Sequence, residues 1–331
     1  MPVSEQHSPP AGSPPRPPRV PRLLRWGALA VVAFFAAGFV VSRWDGITSS
    51  TARLDVGAVL GALGFVALGL VGAMLSWRAV LGGLGSRLPL PAAARVYFLS
   101  QLGKYVPGSV WPLLAQAELS NEYGVPRARA GFAAVTQMLI GLVVGIAVAA
   151  VSLAASAPGA LAAYWWLGLV AVAGAVMLVP AVFNRLTGLA LRILRRPGEQ
   201  ELLSGRAIGA AAAWCVLMWL AFGAQIWLMA LGLGASSTTL FALATGGYAL
   251  AWVVGFVIVV LPAGAGAREA ALVLALAPTL DRDNALALAL VSRVLMLLGD
   301  AGAAAVAVLA ERVHTRRAPR ATTPPRLSSP E

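Results

Sequence analysis

From Leu23 to Ala310 the chain is mostly a succession of apolar runs, each about 20 residues long, the length a helix needs to cross a bilayer's hydrocarbon. That feature limits the fold more than any other. In lipid, every backbone polar group must find its partner inside the protein. The unbroken runs are residues 23–41, 56–77, 130–154, 161–183, 207–232 and 285–310. Only 11% of the 331 residues are charged, against about 25% in a typical soluble protein. The first run exceeds the roughly 7–15 apolar residues of a signal-peptide core and lacks a clean cleavage site, so it reads as a retained span.

Two further apolar stretches, 92–123 and 238–278, are interrupted. The first contains Lys104-Tyr105-Val106-Pro107-Gly108 and the second Leu261-Pro262-Ala263-Gly264-Ala265-Gly266. Proline removes a backbone donor and glycine relaxes the chain, so the helix should break at each. Inside a membrane such a break survives only where protein or a watery cavity covers it. Neither side of the first break is long enough to cross. Of the second, only 238–261 is, and whether it crosses stays open. Both stretches read as re-entrant hairpins. The expected fold is therefore an all-α polytopic integral membrane protein of about six full transmembrane helices plus two Pro/Gly-broken re-entrant hairpins.

Charge sets the orientation. With the N-terminus inside, 20 of the 25 Lys and Arg residues fall on the inner side, in the tails, around the first hairpin and between Arg185 and Arg206. Cytoplasmic loops carry such an excess, so both termini are expected in the cytoplasm. Residues 1–22 should form a disordered Pro/Arg-rich tail, 23–311 the membrane domain, and 312–331 a disordered basic tail. The net charge of +12 lies beside apolar spans, where it serves anionic lipid headgroups rather than nucleic acid. Cys215 is the only cysteine and lies in an apolar run, so there is no disulfide framework. His7 and His314 lie in the tails, which removes histidine-based metal sites and catalysis from the membrane part; neither metal nor cofactor is expected.

An internal repeat is visible. Trp77-Arg78-Ala79-Val80-Leu81-Gly82 and Trp227-Leu228-Met229-Ala230-Leu231-Gly232 each end a span and precede a broken hairpin. After each hairpin comes a long span with a hydroxyl–polar pair, Thr136-Gln137 or Ser292-Arg293. The topology places one hairpin inside and the other outside, which makes residues 56–154 and 207–310 an inverted repeat. Transporters built this way bind their substrate at the repeat interface near the midplane.

The charged residues in or near the expected cavity are Lys104, Glu118, Arg268, Glu269, Arg293 and Asp300. One charge at a helix centre costs about 2.5–3.5 kcal/mol, so these must be paired, hydrated or near the interface. Arg293 is too deep to snorkel and its planar fork suits a phosphate, or it is a structural partner of Glu269 or Glu118. Asp300, seven residues on, shares its helix face and is either an ion or proton site or an interhelix partner. Lys104 either attracts an anionic headgroup at the inner mouth or snorkels to the surface. Gln101, Ser100 and Tyr105 are placed to add hydrogen bonds, and Ser109 to cap the helix after the break. Arg268 is a phosphate candidate at the outer mouth. Glu269 either favours its helix dipole or exchanges Arg293 for substrate. Glu118 is a coupling residue or part of an ordinary solvated face. Gly57-x-x-x-Gly61 and Gly141-x-x-x-Gly145 need no more than a helix-packing role.

Gly103-Lys104-Tyr105-Val106-Pro107-Gly108-Ser109-Val110-Trp111 resembles the signature of bacterial proteins related to the membrane domain of lysylphosphatidylglycerol synthases. The second break, through Arg268-Glu269, resembles that family's second signature, and Arg293 matches a recurrent arginine. The resemblance implies a flippase-like domain in a bacterial inner membrane, moving an anionic phospholipid or a polyprenyl-phosphate-linked lipid between leaflets. The chain ends in a short basic tail where the full synthases carry a soluble domain, so lysyl transfer is not expected. The expected partners are membrane lipids, with an envelope-lipid enzyme as a further partner. The alternatives are a membrane transferase using a lipid-linked donor, with Glu118, Glu269 or Asp300 as base, and an accessory scaffold for an envelope-lipid enzyme.

Overall fold

The computed structural model describes residues 48–49, 51, 53–105, 110–156, 165–193, 202–257 and 266–317. The run 23–41, Ser109 and the Pro107, Gly108, Pro262 and Gly264 breaks lie outside the described residues, as do residues 1–22 and 318–331. The described elements are α1 (Val56–Gly83), α2 (Leu90–Gln101) and a 3-10 turn (Leu102–Tyr105), then α3 (Trp111–Asn121) and α4 (Arg127–Ser156). They continue with α5 (Trp165–Met177), α6 (Pro180–Ile193), α7 (Gly205–Gly232), α8 (Leu240–Val257), α9 (Ala267–Leu276) and α10 (Arg282–Arg317). No strand occurs among the described residues.

Helices α1, α4, α7 and α10 are long and apolar enough to cross a membrane, and α8 is a shorter apolar helix. The chain is a multi-pass helical membrane protein. These four helices coincide with four of the expected spans. The run 161–183 departs from expectation. Its helix stops at Met177, turns through Leu178 and Val179, and restarts at Pro180, whose missing amide and ring bar the preceding turn from continuing. Residues 185–193, expected in a loop, belong to α6, and 312–317, expected in the tail, continue α10. Asn184 ties α6 to the entry of α7 by donating to the Leu203 carbonyl at 3.0 Å and accepting from its amide at 3.2 Å.

Helices α1 and α7 have the same length and the same ends. Asp55 caps α1 by accepting from the Ala58 amide, and Ser204 caps α7 by accepting from the Ala207 amide. Both stop in a Schellman-type turn, with Ser86 N–H donating to the Leu81 carbonyl and Ala235 N–H to the Ala230 carbonyl. The glycines in these turns, Gly85 and Gly234, sit at φ of 81° and 86°, a region that penalises any Cβ. The two helices pack antiparallel. Gly61 lies against Leu228, Gly69 against Phe222, Gly72 against the backbone of Trp214 and Met218, and Gly83 against Ala207. Small residues let backbones approach where lipid supplies no hydrophobic drive, and the contact is sealed by Ser76 Oγ donating to the Ala211 carbonyl at 3.0 Å. Across α7, the Trp219 indole fills the notch left by Gly145 and donates to the Gly141 carbonyl at 3.1 Å, which accounts for that pair of glycines.

The long helix α10 positions everything that follows. At about 1.5 Å per residue its 36 residues span about 54 Å. Helix α2 runs antiparallel to it, with Arg95 beside Glu311 and Lys104 beside Asp300. Helix α9 joins α10 through a short turn and also runs antiparallel, with Glu269 beside Arg293. The two broken segments thus approach α10 from opposite ends, and their inner ends meet it about seven residues, or 10 Å, apart.

Candidate functional site

The site is built where those inner ends touch α10. Helix α2 tightens into a 3-10 turn at Leu102, a common way for an α-helix to end. A Cβ on Gly103 would lie 3.1 Å from both the Pro112 nitrogen and the Trp111 carbonyl carbon. A side chain there would press on main chain that cannot rotate away, because the turn crosses the start of α3 backbone to backbone. That crossing presents the next two residues to α10. Lys104 Nζ lies 2.7 Å from Asp300 Oδ2, and the Tyr105 hydroxyl donates to the same oxygen at 2.5 Å. The Asp300 side chain is wholly buried, and its other oxygen, Oδ1, has no hydrogen-bond partner among the described residues. Helix α3 starts with Val110 rather than Ser109 at its N-cap, without a side-chain cap, and tolerates Pro112 in its first turn.

Seven residues up α10, Arg293 Nη1 lies 2.7 Å from Glu269 Oε1. The other oxygen of Glu269 accepts from the Gly266 amide at 2.6 Å. One carboxylate therefore caps α9, suits its dipole and binds the deep guanidinium at once. Arg268, beside it, stacks on the Tyr248 ring with its guanidinium carbon 4.7 Å from the centroid and donates to the Tyr248 hydroxyl. Tyr248 is buried, packed against Trp219 and Phe222. The two pairs sit on one helix about 10 Å apart along its axis, so they form one cluster. Between Tyr248, Arg268, Glu269, Ser292 and Arg293 there is a cleft of about 10 Å³, room for about one water. The site is closed.

Of the residues singled out in the sequence, Lys104, Tyr105, Arg268, Glu269, Arg293 and Asp300 are brought together, and Gly266 sits at the N-cap of α9 with φ of 84°. Gln101 is half-buried, and its side chain joins no hydrogen bond among the described residues. Ser100 turns back onto its own helix, donating to the Tyr97 carbonyl at 2.7 Å. Glu118 stands apart from the cluster and pairs with Arg127 at 2.8 Å on an exposed face. Gln225 bridges helices by donating to Ser292 Oγ at 2.7 Å.

Two features escaped the sequence. Tyr248 is one, although Gly246-Gly247 before it announces close packing: those glycines lie against Ser152–Leu153 and Ala275. The other is a second polar cluster at the far end of α2. Arg95 Nη1 reaches Glu122 at 2.8 Å and the Tyr123 hydroxyl at 3.0 Å, while its Nε reaches Glu311 at 3.1 Å. Tyr123 also donates to Glu311. Burial pushes the Tyr123 phenol above its ordinary pKa, with the bond to Glu311 adding to the shift and Arg95 opposing it. This network ties α2, the α3–α4 turn and the last turns of α10 together. An arginine in the apolar helix α2 was its only sequence signal.

Residues 25–301 match the family model described as the lysylphosphatidylglycerol synthase TM region. The chain belongs to that family. The match takes in both broken segments and the two deep charges of α10, so the cluster lies within the family's membrane region. No curated protein matches the chain.

Proposed function

We propose that the protein moves a lipid with an anionic headgroup, a phospholipid or a polyprenyl-phosphate-linked lipid, between the leaflets of a bacterial inner membrane, with both termini cytoplasmic. One observation carries the reading: two broken segments approach α10 from opposite ends and deliver opposite charges to its deep Arg293 and Asp300. Irregular backbone at membrane depth belongs where it lines a path, and intramembrane charges mark such paths. The element order supports an inverted repeat. Each half has a long helix, a broken pair and a second long helix, α1–α4 and α7–α10, and the first helices share their cap geometry.

In this reading the narrow cleft is the state without a headgroup. A headgroup enters by displacing one carboxylate from its cation, and the acyl chains stay in lipid. Re-pairing on the other side closes the path behind it, so access alternates without both charges being bare together. Transferase chemistry would need Glu118, Glu269 or Asp300 as base, and each of them is bound to a cation. Leaflet exchange of labelled lipids in vesicles carrying the purified protein tests the proposal. Arg293→Ala should slow exchange at least about tenfold, the worth of one charge-assisted contact. Unchanged exchange removes Arg293 from the path.

A further inference from the structure

The charges of the cluster do not balance. Among the described residues the cluster sets three cations, Lys104, Arg268 and Arg293, against two carboxylates, Glu269 and Asp300. The two breaks, 106–109 and 258–265, hold no Asp, Glu, Lys or Arg, so they add nothing to either side. Arg268 is the surplus cation. It is half-buried, and among the described residues it has a phenol and an aromatic face but no carboxylate. A guanidinium offers five donors in a planar fork, and the single bond to Tyr248 leaves most of them for a ligand at the cleft.

We infer that the site selects a lipid whose headgroup is a monoanionic phosphodiester, and that Arg268 holds the phosphate. The inference rests on the lipid-transport reading and adds a charge to it. One negative charge brings the loaded cluster to neutrality. A diphosphate or a phosphomonoester brings more, and a zwitterionic headgroup brings none in net. At membrane depth each uncompensated charge is expensive, so the loaded site discriminates by charge number as well as by shape. Tyr248 holds the guanidinium of Arg268 at the edge of the cleft by its ring face and its hydroxyl, a pre-organisation that favours a phosphate contact through the remaining donors.

The test is leaflet exchange by the full chain in vesicles, using four labelled probes: phosphatidylglycerol, a polyprenyl-phosphate sugar, a polyprenyl diphosphate and phosphatidylethanolamine. Wild type should move one or both of the first two at least about tenfold faster than the others. Which of the two moves identifies the source of the phosphodiester. Arg268→Gln should abolish that preference, and Arg268→Lys should keep most of it. Equal or faster exchange of the diphosphate, or a preference unchanged in Arg268→Gln, overturns the assignment. Should Arg268→Gln fail to fold, the wild-type ranking decides alone. Retention of the same probes by the detergent-purified protein, read by native mass spectrometry, separates the two readings. Selective retention of the monoanionic lipids, lost in Arg268→Gln, with no exchange of any probe would keep the charge assignment and defeat transport. Exchange without charge preference would do the reverse.

Discussion

The two broken segments meet the same helix with opposite polarity. The first brings a cation, Lys104, to a carboxylate on α10, and the second brings a carboxylate, Glu269, to an arginine on α10. Their surroundings differ as well. The two cations are about equally exposed, but the carboxylates differ: the Asp300 side chain is wholly buried and holds both Lys104 and Tyr105, whereas that of Glu269 is 14% exposed and its partner Arg293 lies beside a cleft and next to a second guanidinium. The contrast teaches a division of labour. The first contact has the character of a lock, since its carboxylate is sealed from solvent and takes two partners on one oxygen. The second has the character of a receptor, with a surplus cation and an opening that can grow.

If that division is right, the largest effect should come from breaking the lock. Asp300→Asn leaves Lys104 at depth without its counter-ion. It should lower stability by about 3–5 kcal/mol, the usual result of orphaning one member of a buried pair. Thermal unfolding in detergent measures it, and the double variant Lys104→Met, Asp300→Leu should recover most of the loss. An Asp300→Asn protein that melts with wild type would make the two contacts equivalent and end the comparison.

Next comes the backbone crossing behind the lock. Gly103→Ala places a methyl 3.1 Å from main-chain atoms of Trp111 and Pro112, which cannot turn away as a side chain would. An overpacked core costs about 1–3 kcal/mol, and the strain should be felt at Lys104. A double-mutant cycle of Gly103→Ala with Lys104→Met should show coupling, while the same cycle with Glu269→Gln should be additive.

Glu269→Gln itself should cost less, about 1–2 kcal/mol, because Arg293 keeps access to the cleft and its screening. Its signature lies in transport. Leaflet exchange should change at least about tenfold while the melting temperature moves only a few degrees. A stability loss as large as that of Asp300→Asn would show both contacts to be locks.

Much of this was legible in the sequence, for physical reasons that can be named. Runs such as 130–154 announce their helices because lipid demands length and apolarity, and α4 duly covers that run. Lys104 and Arg293 announce themselves because a charge at depth needs a reason. The pairing partners were less visible. Glu269 and Glu118 are both candidates for Arg293 because a deep charge needs a partner, but Asp300 with Lys104 requires knowing that α2 runs antiparallel to α10. No periodicity encodes that contact between residues 196 positions apart. Run 161–183 was misjudged because apolar composition is blind to Pro180, which ends one helix and begins another whatever surrounds it. Tyr248 was missed because a tyrosine in an apolar helix is common. Only the neighbouring Arg268, from another element, gives it a role.

The smallest effect should come from Glu118, and it sharpens the comparison by exclusion. In the sequence, Glu118 and Asp300 are both acids in or near the expected cavity, and Glu118 lies one turn from a second acid, Glu122. In the fold its side chain is 63% exposed and its partner Arg127 is 58% exposed, at 2.8 Å. A surface pair of that kind is worth about 0–1 kcal/mol, since both groups stay solvated and two long side chains must be held. Glu118→Ala should therefore leave stability within about 0.5 kcal/mol of wild type and leaflet exchange unchanged. Raising the salt concentration should mimic the variant, because exposed pairs are screened and the contact on the wholly buried Asp300 is screened much less. A marked loss of exchange in Glu118→Ala would mean that the surface beside α3, rather than the ends of the two breaks, controls entry to the path.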